Sequence, residues 1–139
     1  MAALTFTSES ISSAAALRLI ETALAKASDM EVAVAIAVVD TDGILKAFHR
    51  MDHTPVIAVE AVPAKARAAL MGLSTEELAE ALSSNQANLL SMVTMKDVTL
   101  LGGGLPIRHG DKIIGAIGVG GALTEQDVAI AEAALASLQ

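Results

Sequence analysis

Charged side chains that could hold a small anion stand together where the second predicted strand ends. Arg50 and Asp52 flank a methionine at the point where this strand gives way to a loop. Polar side chains at such a position often serve binding, since a rigid strand fixes them. Arg50 could bind a carboxylate, and Asp52 could orient Arg50 or act as a base. The alternative is a solvated loop in which the two residues pair at the surface and contribute little.

Lys65 lies in an alanine-rich part of the following helix. Its neighbours are Ala61, Ala64, Ala66, Ala68 and Ala69. A lysine on such a helix either extends its stem along the surface, with the ammonium in water, or lies partly buried against the sheet. If it is buried, it becomes a candidate acid–base or electrostatic group. We therefore place Lys65 beside Arg50 and Asp52 as the candidate catalytic residues.

Most of the glycines fall in one stretch, Leu100 to Leu123. We interpret this stretch as a glycine-rich approach, a strand, a His-Gly-Asp turn and a second strand, which together form a β-hairpin. One face of the second strand thins to glycine, and this allows either close helix packing or contact between a ligand and the backbone. We assign ligand binding to Gly103, Gly104 and Gly118, together with Arg50. The amides of Gly103 and Gly104 could stabilise an oxyanion.

Hydrophobic periodicity and capping signals place these residues on a mixed set of elements. The capping signals are Thr7 or Ser8 at the start of the first helix and a capping box of Ser74 with Glu77 at the start of the third. A helix, a strand hairpin, two helices, a second hairpin and a last helix are predicted, with Asn88 to Thr99 as an inward-packing loop. The predicted elements are a helix from Thr7 to Ser28, strands from Val32 to Val39 and from Ile44 to Arg50, helices from Thr54 to Met71 and from Ser74 to Gln86, the hairpin, and a helix from Thr124 to Ser137. Two antiparallel hairpins with flanking helices indicate an α+β or α/β/α arrangement.

Composition excludes several functional classes. The 139 residues predict one domain, residues 1–139, with 53% hydrophobic but only 1% aromatic residues. A net charge of −7 argues against a nucleic-acid partner, and the absence of cysteine excludes disulfides and Cys-ligated metals. We predict no metal site and no membrane span, since no apolar run approaches roughly 20 residues. No signal-peptide pattern is visible at the N-terminus, so we expect a cytoplasmic protein. Alanine-lined surfaces bury little area each, which favours a homo-oligomer.

A set of short motifs, in order along residues 8 to 138, resembles the GlcG/HbpS family. This family includes glycolate-operon accessory proteins, haem-binding proteins and the C-terminal domain of PduO-type corrinoid adenosyltransferases. The motifs are Asp40-x-x-Gly43, Arg50-Met51-Asp52, Lys65-Ala66, Gly103-Gly104-x-Pro106-Ile107, Gly115-Ala116-Ile117-Gly118-Val119 and Gln126-Asp127. The resemblance implies a profilin-like, three-layer α/β/α fold with a five-stranded antiparallel sheet, and homo-oligomers.

The chain departs from the family pattern at two positions. Ala68 stands where the family often has threonine, and Gly120 stands where it often has serine. Both changes remove a hydroxyl group near the expected site. We therefore expect any haem binding to be weak and to need a histidine.

Two functions of different class follow. The first is binding of, or acid–base catalysis on, a small anionic carboxylate or carbonyl metabolite, carried by Arg50, Asp52 and Lys65. The alternative is a haem or tetrapyrrole binding or degrading protein, in which His49, His53 and His109 are the possible axial ligands. Haem is thus a possible cofactor, and the sequence does not decide whether the protein is an enzyme.

Overall fold

A computed structural model describes residues 1–139 as one antiparallel sheet with helices on both faces. The elements in chain order are α1 (Ser13–Asp29), β1 (Ala35–Asp40), β2 (Leu45–Arg50), α2 (Ile57–Ala69), α3 (Thr75–Leu82), α4 (Gln86–Val93), β3 (Gly104–His109), β4 (Lys112–Gly120) and α5 (Thr124–Ala136). The four strands are ordered β2-β1-β4-β3, so the two hairpins meet at the central pair β1 and β4. The expected α+β architecture is thereby confirmed.

The main core lies between the sheet and the pair α1 and α5. Side chains alternate between the faces of a strand, and the larger ones on β1 and β4 point to this side. The branched residues in the core are Ile36, Val38, Ile117 and Val119 from the sheet, with Leu19 from α1 and Ile130 from α5. This burial of aliphatic surface is the main source of stability in a chain so poor in aromatic residues.

The opposite face of the sheet carries alanine and glycine, and α2 packs directly on it. Ala35 and Ala37 of β1 contact Ala58 and Val62 of α2. A Cβ on Gly118 would overlap the carbonyl oxygen of Val62. The helix backbone therefore approaches the sheet more closely than a side chain at this position would allow.

The sheet has four strands, not the five that the resemblance implied. Ile11 donates one backbone hydrogen bond to the carbonyl of Ile114, but the residues before it are exposed and form no further strand. The first helix also begins later than predicted, because Ser12 rather than Thr7 or Ser8 caps it by accepting the amide of Ala15.

Local capping decided two other boundaries. Ser74 and Glu77 form the predicted reciprocal capping box at the start of α3. The stretch expected to be a loop contains helix α4, whose N-terminus is capped by Asn85, which accepts the amide of Asn88.

Helix α2 continues through Pro63 without interruption. None of the five helices has the length and apolar character needed to cross a bilayer.

Candidate functional site

A buried ion pair joins α2 to the start of α5. The ammonium of Lys65 donates to the carbonyl of Val119 at 2.8 Å and to Oδ2 of Asp127 at 3.3 Å. Both charged side chains are only 5% exposed. Lys65 is therefore buried against the sheet, and its stem does not carry the ammonium into solvent. Since taking two charges out of water is costly, this pair depends on its hydrogen bonds.

Asp127 is held from two sides, and both contacts follow from its place in the first turn of α5. Its Oδ1 accepts the backbone amide of Ala122 at 3.1 Å, while Oδ2 accepts from Lys65. A carboxylate near a helix N-terminus is favoured by the helix dipole. Burial nevertheless raises the pKa of Asp127 above its ordinary value, because desolvation outweighs the attraction of Lys65 and the hydrogen bond from Ala122.

The ion pair forms part of the wall of a cavity of about 300 Å³. Small and apolar residues make up most of the remaining wall, and three glycines keep it open. The lining residues are Pro55, Ile57, Ala58, Ala61, Lys65, Leu101, Gly102, Gly120, Gly121, Ala122, Thr124 and Asp127. A cavity of this size, with few polar groups converging on it, is typical of a small-molecule site.

The glycines assigned to ligand binding have different surroundings. Gly103 has φ +116°, and a Cβ there would lie 3.1 Å from the Lys65 ammonium. The amide of Gly104 donates to the hydroxyl of Thr75 at 3.0 Å, so a protein group already uses it. Gly118 lies beneath the α2 backbone. The glycines that line the cavity are others from the same glycine-rich segments, at positions 102, 120 and 121.

Arg50 and Asp52 lie on the surface, outside the residues that line the cavity. Arg50 pairs with Ala35, which pairs in turn with Gly120. Two strand spacings, or roughly 10 Å, therefore separate the Cα atoms of Arg50 and Gly120. Arg50 therefore lies on the same face of the sheet as the cavity. It forms no ion pair with Asp127, whose partner is Lys65. The structure thus brings Lys65 and Gly103 together, and it keeps Arg50 and Asp52 apart from them.

The three histidines occupy separate places, all of them exposed. His49 lies on β2 opposite Ile36, and His109 ends β3. His53 lies in the loop after β2 with φ +68°. It is the histidine that lines a depression, which has a volume of about 460 Å³ and is formed also by Val32, Ala33, Pro55, Gly121, Ala122, Leu123 and Gln126. This depression shares three wall residues with the Lys65 cavity: Pro55, Gly121 and Ala122.

Asp127 and Thr124 were not among the site residues predicted from sequence. Both stand at the start of a helix, where acidic residues and hydroxyls usually serve the helix end itself. Asp127 does belong to one of the motifs that carry the family resemblance, and this was the available signal. Its contact with a lysine 62 positions earlier exists only in the folded chain.

A family model described as "Haem degrading protein HbpS-like" matches residues 11–136. This chain belongs to the HbpS-like family. The resemblance expected from the short motifs is thereby confirmed. Because an HbpS-like description concerns haem, the match favours the haem interpretation over acid–base chemistry on a small anion.

Three relatives show how far the similarity extends. An uncharacterized 15.0 kDa protein from the dhaT-dhaS intergenic region of Citrobacter freundii is 34% identical, covering 90% of this chain and 89% of the relative. A double mutant of Streptomyces reticuli HbpS superposes with a TM-score of 0.89 at 27% identity, over 100% of this chain and 94% of the other. A PduOC:heme complex superposes with a TM-score of 0.84 at 28% identity, over 92% and 94%. A related chain of the same fold has therefore been crystallised with haem.

Proposed function

We propose that this protein binds haem or a related tetrapyrrole. The proposal is supported by the HbpS-like family match and by the relative solved as a haem complex. The observation on this chain that carries it is the position of His53, an imidazole on the wall of an open, mostly apolar depression. A neutral imidazole is the commonest protein ligand to haem iron.

The residues around His53 fit a flat apolar ligand. Val32 and Ala33 form one part of the wall, and Leu123, which is 63% exposed, forms another. Exposed apolar side chains continue past the shared wall, with Ile57 at 72% and Leu101 at 57% exposure beside the Lys65 cavity. Contiguous exposed apolar surface of this kind marks binding sites. Bound haem would supply redox and Lewis-acid chemistry, while the chain supplies the imidazole and an apolar surround.

Replacing His53 with alanine is expected to weaken haem binding at least about tenfold, because an iron ligand is lost. The measurement is a titration of the full chain with hemin, followed by the Soret band. The unchanged protein should show a saturable shift at one site per chain.

The variants His49→Ala and His109→Ala are the matched controls, since both histidines are exposed and neither lines the depression. They should bind hemin as the unchanged protein does. An affinity for hemin that is the same in all three variants and in the unchanged protein would show that histidine ligation at position 53 is wrong.

A second candidate is acid–base chemistry on a small carboxylate or carbonyl metabolite. One specific observation supports it: the buried Lys65–Asp127 pair lies in the wall of a cavity that is open to solvent on its outer side. In this proposal Lys65 is the acid–base or electrostatic group. Arg50 and Asp52 lie outside the cavity wall and would contact the part of the ligand that extends beyond the cavity. Gly103, where a Cβ would lie 3.1 Å from the Lys65 ammonium, is the glycine proposed to contact the ligand, since the amide of Gly104 already donates to Thr75.

We also propose that the protein forms a homo-oligomer. Several apolar side chains far from the main core are exposed, among them Val56 at 83% and Ile57 at 72%. Apolar surface of this kind is stabilised when a second copy covers it. Light scattering at micromolar concentration should give a mass of at least twice the 14.1 kDa of one chain. A mass of one chain under these conditions would contradict the proposal.

A further inference from the structure

The Lys65 cavity contains one buried cation whose hydrogen-bonding capacity is not fully used. An ammonium carries three N–H donors. Val119 and Asp127 accept from Lys65, and no third protein acceptor lies within hydrogen-bond distance. Because Lys65 is 4% exposed and lines the cavity, its remaining donor is available to a ligand inside the cavity.

The bond between Lys65 and Asp127 is long for a charged pair. Bonds from an ammonium to a carboxylate are usually about 2.7–2.9 Å, and this one is 3.3 Å. The other carboxylate oxygen of Asp127 is engaged by the amide of Ala122. Lys65 is therefore held by one short bond to the Val119 carbonyl and one long bond to Asp127, and its third donor remains unused.

Further unused donors surround the same cavity. The hydroxyl of Thr124 makes no hydrogen bond within the protein, and the backbone amides of Gly102 and Gly121 donate to no protein acceptor. All three residues line the cavity. Residues with unused donors, from a loop, a strand end and a helix start, therefore line one cavity. The only carboxylate in its wall, that of Asp127, already accepts from Lys65 and Ala122. Unused donors of this kind suit an acceptor-only group.

Glycine at position 120 leaves the ammonium accessible. A Cβ there would lie 3.1 Å from the Lys65 ammonium and 2.9 Å from Cγ1 of Val62. A larger residue would fill the space between Lys65 and the cavity.

We propose that the cavity binds a carboxylate group, with Lys65 as its charged partner and Thr124 as a second donor. The carboxylate can be a propionate of a tetrapyrrole held at the neighbouring depression, in which case the inference rests on the proposed haem function. It can also be a free small monocarboxylate. The shared wall of Pro55, Gly121 and Ala122 places the carboxylate site directly beside the depression lined by His53.

The test compares hemin with its dimethyl ester, in which both propionates lack charge, and adds sodium propionate as a free monocarboxylate. The full chain is titrated with each probe, hemin and its ester by absorbance and propionate by calorimetry. The variants are Thr124→Val and the double change Lys65→Met with Asp127→Asn, which removes both buried charges together. Lys46→Met, at an exposed lysine, is the control. Circular dichroism verifies that each variant is folded.

If the carboxylate is a haem propionate, we expect the unchanged protein and Lys46→Met to bind hemin about tenfold more tightly than the ester, because the ester cannot form the charge-assisted hydrogen bond to Lys65. This preference should fall to less than about threefold in the folded double variant and should shrink in Thr124→Val. A free-metabolite source predicts that sodium propionate binds in the absence of hemin and that the double variant abolishes the binding.

Equal affinity for hemin and its ester, together with no binding of sodium propionate, would overturn the carboxylate site. The haem proposal is judged separately by the His53→Ala titration. Failure of hemin binding with retained propionate binding would refute haem and keep the carboxylate site. If hemin still binds, but no more tightly than its dimethyl ester, and propionate does not bind, the haem proposal is kept and the carboxylate site is refuted.

Discussion

Replacing Lys65 with methionine is expected to lower the free energy of unfolding at pH 7 by about 3–5 kcal/mol, because a buried carboxylate is left without its partner. Methionine matches the length of the lysine stem, so the loss comes from the missing charge and not from a cavity. Asp127 would keep only the hydrogen bond from Ala122. The measurement is urea unfolding followed by circular dichroism at fixed protein concentration.

Acidification should relieve this loss. Burial already raises the pKa of Asp127 above the ordinary 3.8, and removing Lys65 removes the main influence that lowers it. A carboxyl whose pKa is raised in the folded state contributes stability fully below the ordinary pKa, and this contribution is lost as the pH rises through the raised value. The stability gap between Lys65→Met and the unchanged protein should therefore narrow from pH 7 to pH 5.

The double variant Lys65→Met with Asp127→Asn is the matched control. An asparagine at position 127 can still accept the Ala122 amide without carrying charge. Most of the lost stability should return, since replacing both members of a buried pair is far less costly than removing one. A loss below about 1 kcal/mol for Lys65→Met alone would mean that Asp127 is solvated and the pair is not truly buried.

Replacing Gly118 with alanine is expected to lower the free energy of unfolding by about 3 kcal/mol or more, because overpacking here cannot be relieved by a rotamer change. The added methyl would overlap the Val62 carbonyl oxygen and approach the Ala66 amide at 3.1 Å, and both are backbone atoms of α2. Helix and sheet would have to separate along the whole alanine-lined interface. Thermal or urea unfolding gives the change directly.

Gly110→Ala separates this collision from the conformational cost of losing a glycine. Gly110 has φ +65°, yet a Cβ there would meet nothing within 4 Å. We expect a loss of about 1 kcal/mol from the left-handed backbone alone. Equal losses in the two variants would contradict the close approach of α2 to β4.

Much of the fold could be predicted from local patterns. The alternation of large and small residues along β1 divides it into a large face and a small face, and the structure has Ile36 in the main core and Ala37 against α2. The Ser74–Glu77 capping box was also correct. These features depend on residues that are a few positions apart, and such residues are close in the folded structure because they are close in the sequence. The five-stranded sheet was wrong, because it came from the family pattern and not from any strand signal in residues 1–10.

The sequence by itself determined the class of the fold, the family, and the suspicion that Lys65 matters, because these follow from composition, periodicity and ordered motifs. Only the tertiary structure decided that Asp127 is the partner of Lys65, that glycines 102, 120 and 121 line the cavity, and that His53 stands apart from His49 and His109 on the wall of a depression. The physical reason is that burial and pairing depend on contacts that α2 makes with β4 and α5. Lys65 of α2 and Val119 of β4, for example, lie more than 50 residues apart along the chain. A helix-capping acid and a buried counter-ion look alike in sequence, and packing alone distinguishes them.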